Sequence, residues 1–197
     1  LLDGGDTLVV NNYSGSSSGA FDITDINHGN RTTAETLDLG GSGSVEVVMT
    51  ANQHQGFSGG GITVDSAVDT AKITITTAGY IDADGSAEIY TFTANGAANN
   101  PIDLDDNGNF GTARKVEITA VSGNNTTVVL WRDSGEDGTN YYSGSWSLLD
   151  GGDTLRVMNY SGSSSGAFDI TDINNGNVTT AETLDLGGSG SVEVVMT

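Results

Sequence analysis

The stretch YSGSSSGAFDITDIN occupies residues 13–27 and returns unchanged at residues 160–174. A Ser/Gly run between two apolar alternations reads as a turn. Tyr160 then ends one strand, the chain reverses, and Phe168 and Ile170 return along a core. On this reading the stretch is the closing hairpin of an antiparallel β-sandwich.

The identity extends well beyond fifteen residues. Residues 1–50 match residues 148–197 except at Val9/Arg156, Asn11/Met158, His28/Asn175 and Arg31/Val178, which sets a period of 147 residues. So close a match implies a recent tandem duplication. A period far longer than a solenoid unit predicts beads, each a domain of its own. Residues 1–27 would close a preceding repeat, 28–174 form one full repeat and 175–197 open the next. Within the full repeat, 28–79 supply extra strands or a small sub-sandwich and 80–174 the main sandwich. In TLVVNNY against TLRVMNY, the positions that change share one strand parity, while Leu8, Val10, Leu155 and Val157 hold the other. Parity on a strand is face, so the Val9/Arg156 side is expected outward and the Leu/Val side in the core.

Composition supports an all-β chain. Apolar residues fall in short runs, Gly reaches 29, Pro occurs once, and helix formers are scarce. Alternating or β-branched segments lie at 71–79, 86–95, 113–123, 126–133, 153–160, 167–173 and 191–197. Tyr90 and Phe92 share a face, as do Val129 and Trp131, and core packing is the expected role of these side chains. The 26 acidic residues against six basic ones give a net charge of −20. Such a surface repels phosphate backbones and anionic lipid and attracts cations; solubility and adaptation to high salt are the plainer explanations of the same charge. There is no cysteine, and no apolar run approaches a membrane span, so neither disulfides, nucleic acid binding nor membrane insertion is expected.

From Tyr80 onward the order of segments is DADGSAEIYTFTA, KVEITAVSGNNTTVVLWRDSGEDG, then LLDGGDTLRVMNYSGSSSGAFDIT. This order resembles the bacterial pre-peptidase C-terminal domain, with the closing pattern carried by Thr154, Leu155, Val157, Tyr160, Gly162, Gly166, Phe168 and Ile170. The likeness covers about residues 80–173, and its last third again in residues 1–26. It implies a non-catalytic, jelly-roll-like sandwich of an exported or surface protein, calcium-stabilised in some members and matrix-binding in others. It also implies that residues 1–27 lack their sandwich partners. Those would come from a neighbouring copy or from the rest of the array, by strand complementation.

Candidate chemistry is sparse. DLDDNG at 103–108 places Asp103, Asp105 and Asn107 before Gly108, the opening of a calcium loop in which alternate oxygens converge on a hard cation. Its twelfth position is Arg114, so it is not an EF-hand. Asp82, Asp84 and Glu88 form a second acidic turn, and turns use these residue types in any case. Trp131, Tyr141, Tyr142 and Trp146 are the candidate platform for a sugar. Glycosylation triplets begin at Asn12, Asn30, Asn124, Asn125, Asn159 and Asn177. His28 and His54 are the only histidines, and Asn175 replaces His28 in the second copy, so no catalytic site is expected. The expectation is an extracellular or cell-surface structural repeat of a fibre, filament, stalk, adhesin or surface layer, whose partners are copies of itself and whose cofactor is calcium. A carbohydrate- or matrix-binding module is the alternative.

Overall fold

The computed structural model describes residues 5–12, 19–26, 35–57, 61–82, 89–93, 96–105, 115–119, 126–132, 146–147, 153–159, 168–169, 183–188 and 194–195. Of residues 82, 105, 115–119, 130–132, 146–147, 159, 168–169, 188 and 195 it describes the backbone alone. The strands run β1 (Thr7–Asn12), β2 (Phe21–Asp22), β3 (Thr36–Gly41), β4 (Gly43–Met49), then helix α1 (Ala51–Phe57). They continue with β5 (Ile62–Val64), β6 (Val68–Ile75), β7 (Gly79–Asp82), β8 (Ile89–Phe92), β9 (Ile102–Asp105) and β10 (Lys115–Thr119). The last six are β11 (Thr127–Arg132), β12 (Trp146–Ser147), β13 (Thr154–Asn159), β14 (Phe168–Asp169), β15 (Thr183–Gly188) and β16 (Val194–Val195).

Odd strands stack on odd strands and even on even. The sheets are β1-β3-β5, β7-β9-β11-β13-β15, β2-β4-β6-β8-β10-β12 and β14-β16. Every strand pairing is parallel. Each odd–even pair is therefore one coil of a β-solenoid, in which the chain reaches its parallel neighbour only after a full circuit. This overturns the antiparallel, jelly-roll-like β-sandwich. Strands β1 and β2, on either side of the Ser/Gly run, do not pair with each other: β1 pairs with β3 and β2 with β4. Their copies behave alike, β13 pairing with β11 and β15, and β14 with β16. β1 and β2 thus belong to different sheets and form no hairpin. It follows that residues 7–12 and 21–22 find their partners inside this chain, which removes the reason for strand complementation.

Inward-facing residues form rows along the solenoid. On the odd side Leu8, Leu37 and Ile62 align, as do Ile81 and Leu104, and Val157 and Leu186, with the backbone of residue 130 in register between Leu104 and Val157. On the even side Val47, Ile73 and Tyr90 align beside Met49, Ile75 and Phe92, all of them buried, while Phe21, opposite Val47 at the first coil, is exposed. Tyr90 and Phe92 are buried, as their shared face predicts. One core cluster includes residues from Val10 to Val157. The opposite parity is outward: Val9 is half exposed, and Arg156 pairs its Nε with Asp185 Oδ2 at 2.7 Å.

Helix α1 is the one helix among the described residues. Thr50 and Gln53 build a reciprocal cap, Thr50 N donating to Gln53 Oε1 at 2.9 Å and Gln53 N to Thr50 Oγ1 at 3.1 Å. The helix sits where the odd sheet is interrupted, since β5 and β7 do not pair. Ala51 N donates to Thr77 Oγ1, and Gln55 Nε2 donates to Tyr80 O on β7. An unpaired strand edge is thereby covered. Gln53 Nε2 reaches back to Ile23 O and Ile26 O, tying α1 to the first coil.

Candidate functional site

The acidic residues singled out from sequence are partly brought together. Strands β7 and β9 pair so that Tyr80 lies opposite Asp103 and Asp82 opposite Asp105. The two acidic segments of the sequence therefore begin on paired strands. Asp103 is half-buried. Asp84, Glu88 and Asn107 lie outside the described residues. Among the described residues no group of three or more His, Cys, Asp or Glu is placed to hold a metal ion.

Of the aromatic platform, the backbone of Trp131 lies in β11 opposite Met158, and that of Trp146 in β12 opposite Ile118. These two belong to different sheets. Tyr141 and Tyr142 lie outside the described residues. Among the glycosylation triplets, Asn12 is buried and donates its Nδ2 to Ser44 O at 2.7 Å, so its amide serves the corner between β1 and β4. Asn159 holds the equivalent register position in β13, opposite Gly188. Asn30, Asn124, Asn125 and Asn177 lie outside the described residues.

His54 is fully buried on α1, with Nε2 3.2 Å from the Tyr90 hydroxyl and its ring edge-on to that of Tyr90. This is core geometry, closed to solvent. His28 lies outside the described residues. Exposed Asp22 accepts from both Thr24 N and Thr24 Oγ1, and these two bonds, the side-chain one foremost, hold its carboxyl below the usual carboxylate range.

The junction where the second copy meets the preceding strand β11 carries a buried polar contact. Asp153 is 1% exposed, and its Oδ1 accepts from Thr126 N at 2.7 Å. Thr154 N donates to Thr126 O, and Thr183 N donates to Asp153 O. Above this lock, Val128 faces Leu155 and Leu130 faces Val157. Asp153 directly precedes β13, and the sequence alone does not show that its carboxylate ties this strand to the residue before β11. On the outer faces, Lys72 Nζ lies 3.3 Å from Glu46 Oε1, Thr74 Oγ1 donates to the same oxygen, and Thr63 Oγ1 donates to Asp38 Oδ1. The arrangement is a stack of parallel, ladder-bonded strands. Among the described residues no helix is long and apolar enough to cross a membrane. No family model, curated protein or solved structure matches the chain.

Proposed function

We propose that the chain is a rod-forming structural repeat of an extracellular or cell-surface stalk, fibre or surface layer, lengthened by adding whole repeats to one continuous solenoid. One observation carries the reading. Thr7 pairs with Thr36 in the first copy and Thr154 with Thr183 in the second, so the duplicated segment re-enters the stack in the same register. A duplication that preserves register can be repeated without limit, because each new coil meets the surface its predecessor met. The absence of cysteine and the strongly acidic composition suit a surface protein.

The 147-residue period passes through six odd strands, β1 to β11, before β13 begins the next copy. At a strand spacing of about 4.8 Å, each repeat adds roughly 29 Å of rod. Small-angle scattering on chains carrying one, two and three further repeats should show equal increments of about that length at constant cross-section. A broad, jointed length distribution would reject the rod.

Calcium is the proposed stiffening ion at the β7 and β9 turns. Asp82 and Asp105 hold one register position in β7 and β9, so two acidic segments of the sequence begin on paired strands, a composition that suits a hard cation. Calcium binding to the folded state should raise the melting temperature, and chelation should lower it. Identical melting curves in calcium and in chelator remove the ion from the account.

A further inference from the structure

The sequence TLDLGG forms β3 and also β15, so one set of side chains is seen in two surroundings. In β3, Leu37 and Leu39 are completely buried. In β15 their equivalents Leu184 and Leu186 are 37% and 49% exposed, although Leu184 faces Leu155 and Leu186 faces Val157 on the core side. The even strand repeats the contrast, Val47 being buried and its equivalent Val194 only half-buried.

What covers the first set is visible. Ile62 lies over Leu37 and Val64 over Leu39, with Leu37 N donating to Gly61 O and Asp65 N donating to Leu39 O. Phe57 of α1 belongs to the same core cluster, and Ile73 of β6 lies over Val47. The cover is one coil, residues 51–75. We propose that the end face formed by Leu184, Leu186 and Val194 is a docking face for a coil with the sequence of residues 51–75, supplied in line by the same polypeptide. The face is apolar where that coil is apolar, and the strand TLDLGG already binds it once in this molecule. This inference rests on the rod reading above and names the surface through which the rod would grow.

The test compares the present chain with one in which the sequence of residues 51–75 follows Thr197, and with a third carrying a scrambled version of that segment. The extension should raise the melting temperature by several degrees and slow amide exchange in residues 183–188 at least tenfold. The scrambled extension should do neither. Leu186→Asp should abolish both gains while leaving the unextended chain folded, because that side chain is already half in water. Unchanged exchange in β15 on adding the true segment overturns the proposal. So does a dimer of the unextended chain that dissociates on Leu186→Asp, since the face would then belong to a second copy. Rod growth in whole-repeat increments without protection of β15 by residues 51–75 would leave the rod reading standing and reject this face alone.

Discussion

Gly41 lies directly opposite Asn12 across the β1–β3 pairing, with φ +96, and a Cβ built on it would run into the Asn12 backbone. The corner between β3 and β4 needs both features at once: a left-handed backbone and no side chain. Gly43, two residues on, has φ +80 but open space around its missing Cβ. Gly43→Ala should therefore cost about 1–2 kcal/mol, from the backbone alone. Gly41→Ala adds displacement of β1 and should cost about 3 kcal/mol or more. Denaturant unfolding of the two variants side by side measures the difference.

Asp153→Ala strands the buried Thr126 N–H and should cost about 2–3 kcal/mol. Asp153→Asn keeps an acceptor in place and should lose about half as much. Equal losses for the two variants would mean that the carboxylate charge, and not its acceptor oxygen, holds the junction.

Gln53→Ala removes half of the α1 cap and both bonds to the first coil. The expected loss is about 2 kcal/mol, with faster amide exchange at Ile23 and Ile26, whose backbone bonds accompany this contact. Thr50→Ala should weaken the cap without speeding exchange at those two positions.

The repeat has already carried out one exchange, Val9 for Arg156. Arg156 pairs with Asp185, whereas Val9 stands opposite Asp38, the equivalent of Asp185. Val9→Arg should be neutral or stabilising by up to about 1 kcal/mol, falling toward zero in high salt. A clear destabilisation would show that this face is not free to accept the guanidinium.

Asp22 should titrate below its usual range, because Thr24 bonds its ionised form. A depressed folded-state value contributes stability above the unfolded value and loses it as pH falls through the folded one. Thr24→Val should move the carboxyl midpoint back up in an NMR titration. An unmoved midpoint would assign the shift to another cause.

Strand positions were legible from residues alone, pairing direction was not. Each of the seven alternating segments carries a strand, and the parity of Val9 against Leu8 and Val10 reads the faces correctly. A hairpin and an arc, however, use the same turn chemistry, so the Ser/Gly run cannot say whether β1 turns back on itself or crosses to the other sheet. A better signal lies in a shorter repeat: FDIT (21–24), VVMT (47–50), ITIT (73–76), YTFT (90–93) and VEIT (116–119). In the middle three tetrads the apolar pair is buried, Val47 with Met49, Ile73 with Ile75 and Tyr90 with Phe92, and these stack on one another in register. The closing Thr stands at the strand end, and Thr76 N and Oγ1 both donate to Met49 O. The 147-residue identity, being so much stronger, hides this period. Asp82 and Asp105 were each visible as acidic turn residues, yet only stacking sets them opposite one another.

The coils are not evenly spaced. Val47 and Ile73 are 26 residues apart, Tyr90 and Val116 also 26, but Ile73 and Tyr90 only 17. In a rod of interchangeable coils, a chain that mispairs by one coil forfeits little, and folding has no means of choosing its frame. The short step is an index mark. Slipping the stack by one coil would set a 26-residue circuit against a 17-residue one and leave α1 without the β7 edge it covers. The irregularity thereby singles out one frame among several near-equivalent ones.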